Sequence, residues 1–147
     1  MKAIIDTCIV VDALQKREPF FSEAKSIFLL CANLKFDGFL STKTITDIDH
    51  LIHHQTHSNE ETRKTLRTLC NLFHLLDTTS LDIQKAISSE VSDFEDAVRI
   101  ETAIRSKLDC IVTRNTSNYK ESVIPVYTPS EFLKLVKEES KSSSIVD

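Results

Sequence analysis

The opening of the chain constrains it most: an apolar run, Ala3-Ile4-Ile5, ends on the carboxylate of Asp6 and gives way to Thr7-Cys8-Ile9-Val10-Val11-Asp12-Ala13-Leu14. The run is short enough for a buried parallel strand, and the apolar spacing after it lengthens to that of a helix. Asp6 then stands at the carboxyl end of a strand. In open α/β sheets ligands bind there, because the loops leaving the strands converge over a crevice. Ending a buried strand on a charge costs free energy unless the charge is used. No helix start requires an acid at that position.

The same alternation continues along the chain. Pro19 is suited to open a helix carrying Phe20, Ala24, Ile27, Phe28 and Cys31 inward. Asp37-Gly38 reads as a turn before a strand at Phe39-Leu40-Ser41, and Ile45, Ile48, Leu51 and Ile52 line the next helix. Ser58 with Glu61 is a capping box ahead of a stripe at Leu66, Leu69, Cys70, Phe73 and Leu76. A short strand near Leu75 to Asp77, a short helix from Leu81 to Ile87 and a helix opened by Ser92 follow. Asp109 to Thr113 reads as a strand, and Val123 to Val126 as an edge strand, since Pro125 cannot donate to a ladder. Thr128-Pro129-Ser130-Glu131 combines N-cap, helix-opening proline and capping acid. Strands alternating with helices predict a central, mostly parallel sheet in a three-layer α/β/α arrangement over residues 1–136. Residues 137–147, polar and serine-rich, read as a disordered tail.

Composition narrows the function classes. One glycine in 147 residues excludes the Gly-rich phosphate loops of dinucleotide and Walker type. Cys8, Cys31, Cys70 and Cys110 are widely spaced, with no C-x-x-C pair, which suggests reduced thiols in a cytoplasm. No leader is visible, nor an apolar run near the roughly 18 residues of a membrane span. A formal net charge of −4 argues against nonspecific coating of nucleic acid, so a polyanion would be held by local basic groups or by cations bound to acids.

Three acids fall where elements begin or end near the expected crevice: Asp6, Asp47 and Asp96. Carboxylates gathered in a low-dielectric cleft stay ionised together only with a cation among them, and a hard ion such as Mg²⁺ or Mn²⁺ suits oxygen ligands. Each acid also has a plainer reading. Asp47 lies three residues after Thr44, and Glu95 three after Ser92, so either can be a capping acid. Asp93 can serve a helix dipole or the site, Thr7 can cap a helix, and Asp12 reads as solvated. His50, His53, His54 and His57 largely share a helix face, as do Arg63, Lys64 and Arg67, and both sets read as solvated faces.

Four segments in this order resemble the PIN domain, the fold of VapC-type toxin ribonucleases. They are Asp6-Thr7 near the start, Ser-x-x-Thr-Ile-Thr-Asp-Ile at 41–48, Asp-Phe-Glu-Asp-Ala at 93–97 and Ile-Val-Thr-Arg-Asn at 111–115. The resemblance implies a metal-dependent endoribonuclease that cleaves single-stranded RNA using Mg²⁺ or Mn²⁺, often a homodimer inhibited by an antitoxin protein. Carried over, it makes Asp6, Asp47 and Asp96 the catalytic and metal-binding residues, while Thr7, Asp93, Thr113, Arg114, Asn115 and Asn118, by their places near the crevice, are candidates for supporting or phosphate contacts. The chain departs from the family pattern in three places. Asp47 stands where many members have glutamate, Cys8 where asparagine is usual, and Asn115 to Asn118 carry amides where members commonly have an acid. The alternative these departures imply is a PIN-fold module of weak or absent catalysis that binds RNA or a protein.

Overall fold

A computed structural model of the chain describes residues 1–146. Five parallel strands, β1 (Lys2–Ile5), β2 (Asp37–Ser41), β3 (His74–Leu76), β4 (Cys110–Val112) and β5 (Val126–Tyr127), form one sheet in the order β3-β2-β1-β4-β5. The period of two along each strand explains why it stays buried. Ala3, Ile5, Leu40, Cys110 and Val112 point into one apolar cluster, while Ile4, Phe39, Ile111 and Val126 point into a second on the opposite face.

Helices cover both faces. α1 (Thr7–Leu14), α2 (Phe21–Ala32), α3 (Thr42–Thr56), α4 (Asn59–Leu72) and α7 (Pro129–Val146) supply the first cluster through Ile9, Ile27, Ile48, Leu69 and Phe132. α6 (Phe94–Arg105) supplies the second through Ile100 and Ala103. α5 (Ser80–Ile87) packs on α6, where buried Asp82 accepts two 3.0 Å bonds from Arg105 Nε. Asp82 also closes a capping box with Thr79, and although its burial opposes ionisation, these bonds hold its carboxyl below the usual range.

The strand order places the site. From β1 the chain winds outward through β2 and β3 by way of α1 to α4 on one face, then returns through α5 and α6 on the other to lay β4 against the free side of β1. Parallel crossovers are right-handed, so reversing the direction of winding moves the helices to the opposite face. The loops leaving β1 and β4 therefore part, and their carboxyl ends bound a crevice.

Some boundaries differ from the sequence reading. Gly38 does not turn the chain but lies inside β2, paired with Ala3. Its backbone passes so close to α2 and to Phe73, at the end of α4, that an added Cβ would sit 2.7 Å from Phe73 Cδ1 and 2.8 Å from Cys31 Sγ. We expect Gly38→Ala to destabilise the fold by about 1–3 kcal/mol through overpacking, read as a lower urea midpoint; an unchanged midpoint would contradict this packing. α2 begins at Phe21, two residues after Pro19. The last helix does not stop at 136 but runs on through the serine-rich segment to Val146. It starts from a closed Thr128–Glu131 capping box, and Lys137, Glu138, Glu139 and Lys141 are helix formers that give it no reason to end. Asp147, also read as tail, lies outside the described residues.

Among the described residues no helix is long and apolar enough to cross a membrane, and the four cysteines are free.

Candidate functional site

Asp6 follows β1 directly and is the N-cap of α1, yet its side chain makes no capping bond. The carboxylate is taken instead by groups from the far side of the crevice. Thr113, fully buried just after β4, donates through Oγ1 to Asp6 Oδ2 at 2.6 Å, and the Asn115 N–H in turn donates to Thr113 Oγ1 at 3.1 Å. Cys8 Sγ lies 3.5 Å from the same oxygen. Burial first, and the Asp6 carboxylate second, push the Cys8 thiol up to about 11, so it stays protonated near neutral pH and is no nucleophile.

Asp96 reaches the same place from α6. Asp93 caps that helix, its Oδ1 accepting from the Asp96 N–H at 3.0 Å, so Ser92 is not the cap and Glu95 is not a capping acid. Between Asp6 and Asp96 stands Arg99, 6% exposed, its Nη1 3.3 Å from Asp6 Oδ1 and 3.0 Å from Asp96 Oδ1. The same nitrogen donates to the Tyr119 hydroxyl at 2.7 Å, and that hydroxyl donates to Asp96 Oδ1 at 2.8 Å. Tyr119, 2% exposed, comes from the 3₁₀ turn Thr116–Tyr119 beyond β4.

The electrostatics show which charge dominates. Burial would favour neutral Arg99, but Asp6, Tyr119 and Asp96 outweigh it and raise its pKa. Asp96 is nevertheless raised above the usual carboxylate range. Burial is the main cause, with Asp93 and Asp6 adding to it and Tyr119 and Arg99 opposing. Burial of Asp96 thus outweighs the help its carboxylate gets from Arg99 and Tyr119.

Asp47 joins this cluster only indirectly. Its carboxylate is bound by Lys43 Nζ at 2.9 Å, Lys43 also reaches Glu95 Oε1 at 3.2 Å, and Glu95 lies 3.9 Å from Arg99 Nη2. The cap of α3 is Ser41, accepting from the Thr44 N–H, so Asp47 is not a capping acid either. Among the described residues no three His, Cys, Asp or Glu side chains converge as a ready metal cage. The donor set nonetheless suits a hard divalent ion. Four carboxylates (Asp6, Asp47, Glu95, Asp96) are shared by two cations (Lys43, Arg99), a cationic nitrogen already stands between Asp6 and Asp96, and Mg²⁺ commonly takes one or two carboxylates together with waters and substrate phosphates.

The other sequence candidates have different places. Thr7 Oγ1 shares a 2.7 Å hydrogen bond with Thr44 Oγ1, tying α1 to the start of α3 rather than capping. Arg114 binds Asp12 at 2.7 Å and lies 3.9 Å over the Phe20 ring, so its charge is already engaged; Asp12, read as solvated, is 1% exposed. Asn115 acts through its backbone, and Asn118 is exposed. The histidines of α3 and the basic residues of α4 are exposed. Sequence reasoning missed Arg99, Tyr119 and the role of Glu95. A signal existed for Arg99: it falls three residues after Asp96 and beside Ile100, a charge in the register of the buried helix face.

Comparison with known proteins matches a family model described as PIN domain to residues 2–117. Several solved structures share the fold at low sequence identity. A chain of a toxin-antitoxin complex from Klebsiella pneumoniae aligns with TM-score 0.65 at 22% identity, over 86% of this chain and 97% of that one. A chain of FitAcB from Neisseria gonorrhoeae gives 0.63 at 18%, over 86% and 97%. A chain of VapBC2 from Rickettsia felis, solved bound to a DNA fragment from their promoter, gives 0.62 at 14%, over 87% and 98%. No curated protein matches.

Proposed function

Since this chain belongs to the PIN domain family, we propose that it is a Mg²⁺- or Mn²⁺-dependent endoribonuclease of single-stranded RNA, acting in the cytoplasm as the toxin of a toxin-antitoxin pair. One observation carries the reading: Asp6 and Asp96, ninety positions apart, are buried together around a single cationic nitrogen at the carboxyl edge of the sheet. Asp6 and Asp96 would hold the ion, with Asp47 and Glu95 sharing Lys43 at the rim beside them. Bound there, a divalent ion supplies a water of lowered pKa and neutralises charge developing on a phosphate.

The chain's own groups do the positioning. Thr113 fixes the rotamer of Asp6 and Tyr119 that of Asp96, which keeps both carboxylates aimed at one point. Lys43, half exposed at the rim, would exchange its partners Asp47 and Glu95 for a phosphate of the incoming strand. The fold shared with a chain of the Klebsiella pneumoniae toxin-antitoxin complex supports an antitoxin as protein partner.

The test is a substrate panel: cleavage of single-stranded RNA with Mn²⁺ or Mg²⁺, lost on chelation and restored by the ion, with DNA of the same sequence left intact. Cleavage unaffected by chelation would overturn the metal role, and preference for DNA would overturn the substrate. The place of Arg99 and the amides at 115 and 118 favour a second reading, a module that binds RNA or protein without turnover. It predicts RNA affinity with no cleavage under any of these conditions.

A further inference from the structure

Resting on the reading of Asp6 and Asp96 as cation ligands, we infer that Arg99 is a built-in competitor for that cation: its guanidinium holds the acid pair in the metal-free chain and shifts to Glu95 when a divalent ion binds. Arg99 Nη1 lies 3.3 Å from Asp6 and 3.0 Å from Asp96, so the point between the carboxylates already contains a positive charge. Buried like charges need such a counter-ion. The chain carries its own.

The hold is incomplete, and another seat is at hand. Arg99 Nε is buried without a hydrogen-bond partner, although a guanidinium offers five donors, so this position leaves bonding capacity unmet. Glu95 Oε1 is already 3.9 Å from Nη2. A cavity of about 540 Å³, lined by Arg99, Glu95, Lys43, Phe94 and Val98 among others, opens beside them and gives the side chain room to move. One guanidinium with two carboxylate seats makes metal affinity a difference between two states: the measured affinity is the intrinsic one multiplied by the fraction of molecules in which Arg99 has left the acid pair.

Calorimetric titration of Mn²⁺ into metal-stripped protein tests this. Arg99→Gln is expected to bind Mn²⁺ about tenfold more tightly than the wild type. Glu95→Gln is expected to weaken binding about threefold in the wild-type background and by clearly less in the Arg99→Gln background, where Glu95 no longer has a guanidinium to receive; equal losses in the two backgrounds overturn the proposal. Affinity in Arg99→Gln equal to or below that of the wild type overturns the proposal and leaves the metal reading standing. Absence of Mn²⁺ binding in every variant overturns both. Should Arg99→Gln fail to fold, the Arg99 Nε–H resonance of the wild type decides: a shift on adding Mg²⁺ supports displacement, and an unmoved signal in saturating Mg²⁺ overturns it.

Discussion

Replacing Asp6 with Asn is expected to lower RNA cleavage by at least about a hundredfold, the scale of removing one preorganised electrostatic group from a reaction centre, while the protein stays folded. The amide keeps the volume of the carboxylate, and an oxygen can still accept from Thr113 at the present 2.6 Å. What goes is the charge that faces Arg99 Nη1 and, on the proposed reading, the bound ion. Arg99 keeps Asp96 and Tyr119, so no unpartnered charge is left buried. Cleavage rates measured beside thermal melts separate lost chemistry from lost structure. His50→Ala, on the exposed face of α3, serves as the unaffected control. Near-normal cleavage by Asp6→Asn would remove Asp6 from the reaction.

The second large effect concerns the fold. Phe132 is fully buried in the first turns of α7, with its ring 4.8 Å from Phe36 in an edge-on contact. Phe132→Ala should cost about 3–5 kcal/mol, the range for emptying an aromatic site in a close-packed core. Against a total of about 5–15 kcal/mol for a typical domain, that is a large share of its stability. The expected readout is a melting temperature lower by about 10 °C with a matching fall in urea midpoint. A change below about 1 kcal/mol, the size of a minor surface effect, would mean that α7 does not close the first cluster as described.

How far the sequence could be read follows from where each signal originates. The strand ending at Asp6 was legible because a buried parallel strand is apolar on both faces, and Ile4 and Ile5 serve opposite clusters. That Asp6 and Asp96 belong together followed from their places where elements begin or end beside the expected crevice, and the order of motifs pointed the same way. The capping acids show what local pattern leaves undecided. Thr44 with Asp47, and Ser92 with Glu95, fit the capping spacing, yet Ser41 and Asp93 are the caps, because the cap falls where the preceding extended segment ends. The turn at Gly38 was a misreading of the same kind. Glycine signals a special backbone need, but here the need is space for Cys31 on α2 and for Phe73, which is distant in sequence.

Arg99 and Tyr119 were the least visible. Each is a single polar residue whose meaning depends on partners brought together when the crossover from β3 lays β4 beside β1. The polar tail misled for the opposite reason. Serines lower helix propensity only slightly, and a well-capped start with charged helix formers carries α7 through them.

A crystal of the full chain soaked in Mn²⁺, with the anomalous signal of the metal recorded, tests the central claim most directly. The account predicts a manganese peak bound by Asp6 and Asp96, with the Arg99 guanidinium moved from between them toward Glu95. A fully occupied Arg99 still bridging the two carboxylates with no metal there, or a peak only at the histidines of α3, would contradict it.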